Sequence, residues 1–251
     1  FYQQLSGVAS AVLRAPTFLL TYKEETTGGS RWWLAQDEDA AQPLSDRLED
    51  EILKVLREKN EITLADLDKL MCQHFPGKLT PSREFLQQCL ASYADICSDT
   101  TDVYCIREQE GEGARQADLQ EAQELLAKLA KQLGYSIGGG QILQWHDSKG
   151  VLAYAFFLTS TSIIGSTVFG KIPYPPYKCV LVFPGSRSRL LYYKIRHNPR
   201  LKAALDTGWH FLKLRYLRKL AERQNLTPKL WNELLDGDPP LWDPPKQLQI
   251  F

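Results

Sequence analysis

The sequence predicts an α+β protein: a small, mainly helical module followed by an α/β domain. Three observations carry the prediction. Residues 44–110 hold three apolar stripes at helical spacing and then a short β-like run. Residues 116–235 open on a long amphipathic helix. After it, strand-like and helical runs alternate, which is the order of an α/β sheet with covering helices. An N-terminal extension, 1–43, and a Pro-rich tail, 236–251, flank the two parts.

In the first module Leu44, Leu48, Ile52, Val55 and Leu56 recur on one helical face. Thr63 is placed to cap a second helix, with Asp66 three residues later and a stripe of Leu64, Leu67, Leu70 and Met71. Thr80 is expected to cap a third helix with Pro81 at its first position, its apolar face being Phe85, Leu86, Cys89, Leu90 and Tyr93. The run Val103 to Arg107 follows a polar turn. Three short helices and then a strand pair is the order of a winged helix. In that fold the third helix enters the major groove. Its solvent side offers Ser82, Arg83, Gln87 and Gln88; glutamine suits adenine and arginine suits guanine. Residues 1–115 carry 12 Lys+Arg against 20 Asp+Glu. That acidic balance fits equally a module that binds protein, because a duplex binder needs phosphate contacts.

Glu108 to Arg115 reads as a linker, and Asp118 to Leu133 as a strong helix stopped by Gly134. Ile142 to His146 and Val151 to Leu158, joined by the turn Asp147-Ser148-Lys149-Gly150, read as a hairpin. Cys179 to Phe183 is a buried strand bounded by Pro184-Gly185. Helical residues follow from Ser186, then a second strand-like run, Trp209 to Leu214, then helices through Leu217 and Leu220 and from Thr227-Pro228 to Leu235.

Net charge is zero, but residues 184–251 carry 13 Lys+Arg against 6 Asp+Glu. Arg187, Arg189, Lys194, Arg196, Arg200, Lys213, Arg215, Arg218 and Lys219 fall here, interleaved with Tyr192, Tyr193 and Tyr216. Arginine beside aromatics suits phosphate contact and base stacking, so these nine residues are the expected DNA-binding set.

The five cysteines, an odd number with no C-x-x-C pair, argue against a disulfide framework or a zinc ribbon and for a reducing, cytoplasmic compartment. No run of about 18 apolar residues is present, so no membrane partner is expected. The chain begins at Phe1 and its one methionine is Met71, which suggests a segment of a longer polypeptide. The four histidines lack metal-ligand spacing, and no nucleophile motif is present. Tyr174-Pro175-Pro176-Tyr177, Asp238-Pro239-Pro240-Leu241 and Asp243-Pro244-Pro245-Lys246 each miss one end of the base-gripping loop of amino-methylating enzymes. Gly138 to Gly140 precede a strand, not a helix, so no methyl-donor loop is read. No catalytic residue, metal or cofactor is therefore assigned to this chain.

The order of elements in 116–235 resembles the restriction-endonuclease-like fold of the PD-(D/E)XK nucleases. That resemblance implies an acid near one strand and a D/E-x-K on the next, together holding a metal ion that activates water. Here Asp147 lies in the turn, but Ala155-Phe156-Phe157-Leu158 has neither acid nor lysine. A nuclease acting through Asp147 is the alternative of a different class. Gln247-Leu248-Gln249-Ile250-Phe251 resembles the pentapeptide that docks on the bacterial sliding clamp, which would make Gln247, Leu248, Ile250 and Phe251 clamp contacts and the chain a protein-interaction scaffold. A broader resemblance rests on Leu79-Thr80-Pro81, Cys89 to Tyr93, Ala114 to Leu119, Leu133-Gly134-Tyr135, Val182 to Arg187 and Gly208 to Lys213. These blocks are similar to the C-terminal region of some large bacterial DNA methyltransferases of the N4/N6 amino class. That resemblance implies a non-catalytic, DNA-binding or target-positioning region in restriction-modification or phage defence.

Overall fold

A computed structural model describes residues 42–59, 61–97, 102–140, 142–235 and 237, the strands 19–23 and 30–34, and residues 7, 10 and 11. The chain is α+β. In the N-terminal region β1 (Leu19–Lys23) pairs antiparallel with β2 (Ser30–Leu34). The four residues expected to contact the clamp, Gln247, Leu248, Ile250 and Phe251, lie outside the described residues.

The helical module runs α1 (Leu44–Glu58), β3 (Ile62–Thr63), α2 (Leu64–His74), α3 (Arg83–Tyr93), β4 (Ala94–Ile96) and β5 (Val103–Ile106). Strand β5 lies between β3 and β4, antiparallel to both. The apolar stripes meet in one core that includes Leu48, Ile52, Leu56, Leu67, Met71, Leu86 and Leu90. Thr63 caps α2 as expected, its Oγ1 accepting the Asp66 amide at 3.0 Å. The third cap differs. Ser82, not Thr80, accepts the amide of Phe85 at 3.2 Å, and the Thr80 hydroxyl donates instead to the Phe75 carbonyl at 2.7 Å. Pro81 precedes the cap and Arg83 opens the helix.

The cysteine reading needs one correction: Cys97 and Cys105 form a disulfide across the β4–β5 hairpin. An odd cysteine count excludes full pairing but not a single cross-strand neighbour. Cys72, Cys89 and Cys179 are free.

The expected linker is ordered. A 3-10 turn at Glu108–Glu110 leads into α4 (Glu112–Leu133), which ends on Gly134 at φ 79°. Then follow β6 (Ser136–Gly138), β7 (Leu143–His146), β8 (Leu152–Leu158), α5 (Gly165–Val168), β9 (Cys179–Phe183), α6 (Ser188–His197), α7 (Pro199–Leu205), β10 (His210–Lys213), α8 (Leu214–Ala221) and α9 (Pro228–Leu234). The sheet order is β10-β9-β8-β7-β6, antiparallel from β6 to β8 and parallel from β8 to β10.

Strand β9 is buried along its whole length because both faces of the sheet are covered. Val180 and Val182 pack with Leu126, Leu129, Leu217 and Trp231 of α4, α8 and α9. Cys179, Leu181 and Phe183 pack with Val168, Leu191, Ile195 and Leu201 of α5, α6 and α7. The period-2 alternation thus sorts one strand into two cores. Leu190 of α6 belongs to neither; it completes the core of the helical module.

Candidate nucleic-acid interface

Helices α3 and α6 form the seam between the two parts, and they run antiparallel. The N-terminus of α3 meets the last turns of α6: Ser82 Oγ lies 3.0 Å from the Tyr193 hydroxyl, and the Phe85 and Tyr193 rings are 5.8 Å apart. The C-terminus of α3 meets Arg187, just ahead of α6, whose guanidinium sits 3.6 Å over the Tyr93 ring.

Two of the nine basic residues expected to meet phosphate are withdrawn into this seam. Arg187 is fully buried. It forms an ion pair with Glu110, donates to the Ser92 carbonyl, and donates through Nε to the Ser160 carbonyl at 3.1 Å. The Ser92 carbonyl, at the end of α3, also accepts from Arg107 Nη1 at 2.9 Å, so two positive charges answer the helix dipole there. Lys194 is 1% exposed. Its ammonium donates to Asp46 Oδ1 at 2.6 Å, to Glu49 Oε2, and to the Ser162 carbonyl at 3.0 Å. Glu49 also accepts from the Ser162 amide at 2.8 Å and from the Tyr93 hydroxyl, and Asp46 Oδ2 accepts the Gly165 amide at 2.7 Å. The loop after β8 is thereby tied to α1. Neither Arg187 nor Lys194 presents its charge to an outside ligand, which corrects the expectation for both.

Burial alone would push the Glu49 carboxyl up, but the Lys194 ammonium and hydrogen bonds from Lys194, Ser162 and Tyr93 bring it below the usual carboxylate range. Burial likewise acts to lower Lys194, and Glu49 with Asp46 override it, so Lys194 is raised. The contribution of Glu49 is present above the usual carboxylate range and is lost as pH falls through its lowered value. That of Lys194 is present below the usual lysine range and is lost as pH rises through its raised value. Unfolding free energy measured against pH should therefore fall off in acid, and the Glu49→Gln variant should show a shallower acid limb than wild type.

A second group of charges runs outward along α4. Arg115 Nε donates to Glu110 at 2.8 Å and its Nη1 to Asp118 at 2.5 Å; Arg218 Nε donates to Glu121 at 2.8 Å and its Nη2 to Asp118 at 3.1 Å. Arg187, Glu110, Arg115, Asp118, Arg218 and Glu121 thus alternate in sign from the core to the surface. Arg218, expected to extend a basic patch, is largely neutralised where it stands. The basic stretch has few acids of its own, and α4 supplies them.

The remaining expected residues are distributed as follows. Lys213 is buried at the end of β10. Arg215 and Lys219 are exposed on α8. Arg200 is half-buried, 5.4 Å from the Phe169 ring. Arg189 and Arg196 are exposed on α6. On α3, Arg83 and Gln87 are exposed and Gln88 is half-buried, while Ser82 is committed to the cap and to Tyr193. Arg83 and Arg189 make no ion pair with a described residue. Because α3 and α6 run antiparallel, Arg83 at the start of α3 and Arg189 at the start of α6 lie towards opposite ends of the pair, and Glu84 is exposed next to Arg83.

Asp147 holds its own turn: Oδ1 accepts the amides of Lys149 and Val151, each at 2.9 Å. The Val151 amide leads in holding this carboxyl below its usual range. Asp147 belongs to no cluster of three potential metal ligands among the described residues. Strand β8 supplies no acid or lysine beside it.

Sequence reasoning missed Asp46, Glu49 and Glu110. Glu49 carried a signal: it lies on α1 between Leu48 and Leu53 and one turn before Ile52 and Leu53, inside the apolar arc. A carboxylate in such an arc implies a buried cation elsewhere.

The sequence matches no protein-family model, and comparison with curated proteins and with solved structures gives no significant match.

Proposed function

We propose that this chain binds duplex DNA and serves as a non-catalytic, target-positioning region of a bacterial DNA-modifying enzyme. The observation that carries the reading is the packing of α3 against α6, which leaves Arg83 and Gln87 exposed on the one helix and Arg189 on the other. The order helix–strand–helix–helix–strand–strand, with β5 between β3 and β4, supports a winged-helix reading of the first module. In that fold the helix at the position of α3 is the one that reads bases. The antiparallel β6–β7–β8 meander joined to parallel β9 agrees with an endonuclease-like reading of the second. The turn role of Asp147 and the apolar β8 favour binding over phosphodiester cleavage.

The interface is small in charge, because Arg187, Lys194 and Arg218 are matched internally. Affinity for duplex DNA should be modest and should fall linearly in log–log form with salt, with a slope corresponding to only a few phosphates. Fluorescence anisotropy with a labelled duplex at increasing salt measures this. Absence of binding at low salt would overturn the reading.

A further inference from the structure

We propose that Glu61, Cys97 and Cys105 form a zinc site in the reduced chain, which oxidation to the Cys97–Cys105 disulfide abolishes. The three residues share one face of one sheet. Ile62 pairs with Tyr104, so the same register carried one residue outward sets Glu61 opposite Cys105. Asp95 also faces Cys105, and Cys97 lies two residues further along that strand direction, on the same side of the pleat. Its amide donates to the Val103 carbonyl at 3.1 Å, which continues the ladder through Cys97. The two sulfurs and a Glu61 carboxylate oxygen lie within 4.8 Å of one another. Glu61 and Cys97 are exposed and Cys105 is half-buried, so ion and reductant both have access. Asp95 does not compete, because its carboxylate holds Arg107 Nε at 2.7 Å.

The geometry suits a metal as well as a disulfide. Two thiolates on one tetrahedral zinc, each at ~2.3 Å, stand about 3.8 Å apart. The Cys97 and Cys105 Cα atoms are 5.6 Å apart, so side-chain rotation alone opens the sulfurs to that separation. Thiolate donors select a soft or borderline divalent ion, and two thiolates with one carboxylate leave the fourth position to water.

The chemistry balances in two steps. A dithiol reductant transfers two electrons and two protons to the disulfide, giving two cysteine thiols and the oxidised dithiol. Zinc then replaces the two thiol protons, which are released, while Glu61 coordinates as the carboxylate. Oxidation removes both sulfur donors at once, so the disulfide and the metal exclude each other.

The test uses the whole chain with Cys72→Ser, which removes the exposed thiol outside the pair. The reduced protein is titrated with Co2+ and then Zn2+. The expected result is one equivalent of Co2+ with thiolate charge-transfer absorption, lost on adding Zn2+, absent in the oxidised protein and absent in C97S/C105S. E61Q should bind more weakly. Thiol alkylation read by mass spectrometry is a second measure that needs no variant at the pair: Zn2+ should slow labelling of Cys97 and Cys105 in the reduced protein. The site is refuted by charge-transfer absorption that persists in C97S/C105S, by its absence in the reduced chain, or by labelling that Zn2+ leaves unchanged. Unaltered affinity in E61Q would refute the role of Glu61.

Discussion

Lys194→Met should lower the unfolding free energy by about 3–5 kcal/mol, the loss expected when one partner of a buried ion pair is removed. The reason is what remains. Asp46 and Glu49 are 3% and 0% exposed, and without the ammonium two carboxylates would share one dry site. The Ser162 amide, the Gly165 amide and the Tyr93 hydroxyl still donate to them, but they bring no charge. For a chain of this size the corresponding fall in Tm is on the order of 10 °C. Thermal unfolding measures it. The companion test is non-additivity: K194M with E49Q should cost less than the sum of the single changes, because each removes the charge that strands the other. Additive losses would mean that Lys194 and Glu49 do not interact.

Arg187→Met should be the next largest loss, roughly 2–4 kcal/mol, since breaking a buried pair sets the upper range. It is smaller than at Lys194 because Glu110 keeps Arg115. The loss has four physical parts: the Glu110 pair, the Ser92 carbonyl at the end of α3, the Ser160 carbonyl, and the guanidinium stacked on Tyr93. Arg187→Lys should not restore it, because an ammonium cannot reach three separate acceptors in a plane while lying flat on a ring. Denaturant unfolding of the two variants, compared with wild type, decides the point. Recovery of wild-type stability by lysine would show that charge alone matters there.

These two predictions also show where the sequence was legible. Strand β9 was readable because five apolar residues end at Pro184-Gly185, and the cap at Thr63 follows from local side-chain chemistry. The same local rules covered α1 to α4, α6, α8 and α9, whereas the four-residue α5 was not read from the sequence. What they could not reach is pairing across the chain. Lys194 and Asp46 are separated by 148 residues, and Arg187 and Glu110 by 77. A basic residue in an amphipathic helix is exposed or buried according to what another element brings to it, and α6 alone does not say that α1 will bring two acids. For the same reason Glu110 read as part of a linker: its partners are Arg115 nearby and Arg187 far away. The surface residues Arg83, Gln87 and Arg189 were legible because helical periodicity alone sets them opposite an apolar stripe.

The most direct test of DNA binding through α3 and α6 is the salt dependence of duplex affinity for R83A/R189A against wild type. Both residues are exposed and make no ion pair with a described residue, so removing them should leave stability nearly unchanged. With Arg189 on phosphate and Arg83 on a base edge, the slope of log K against log salt should become shallower by about 0.9 for the lost phosphate contact, and discrimination between duplex sequences should fall with Arg83. A variant that binds DNA with the wild-type slope would contradict the account.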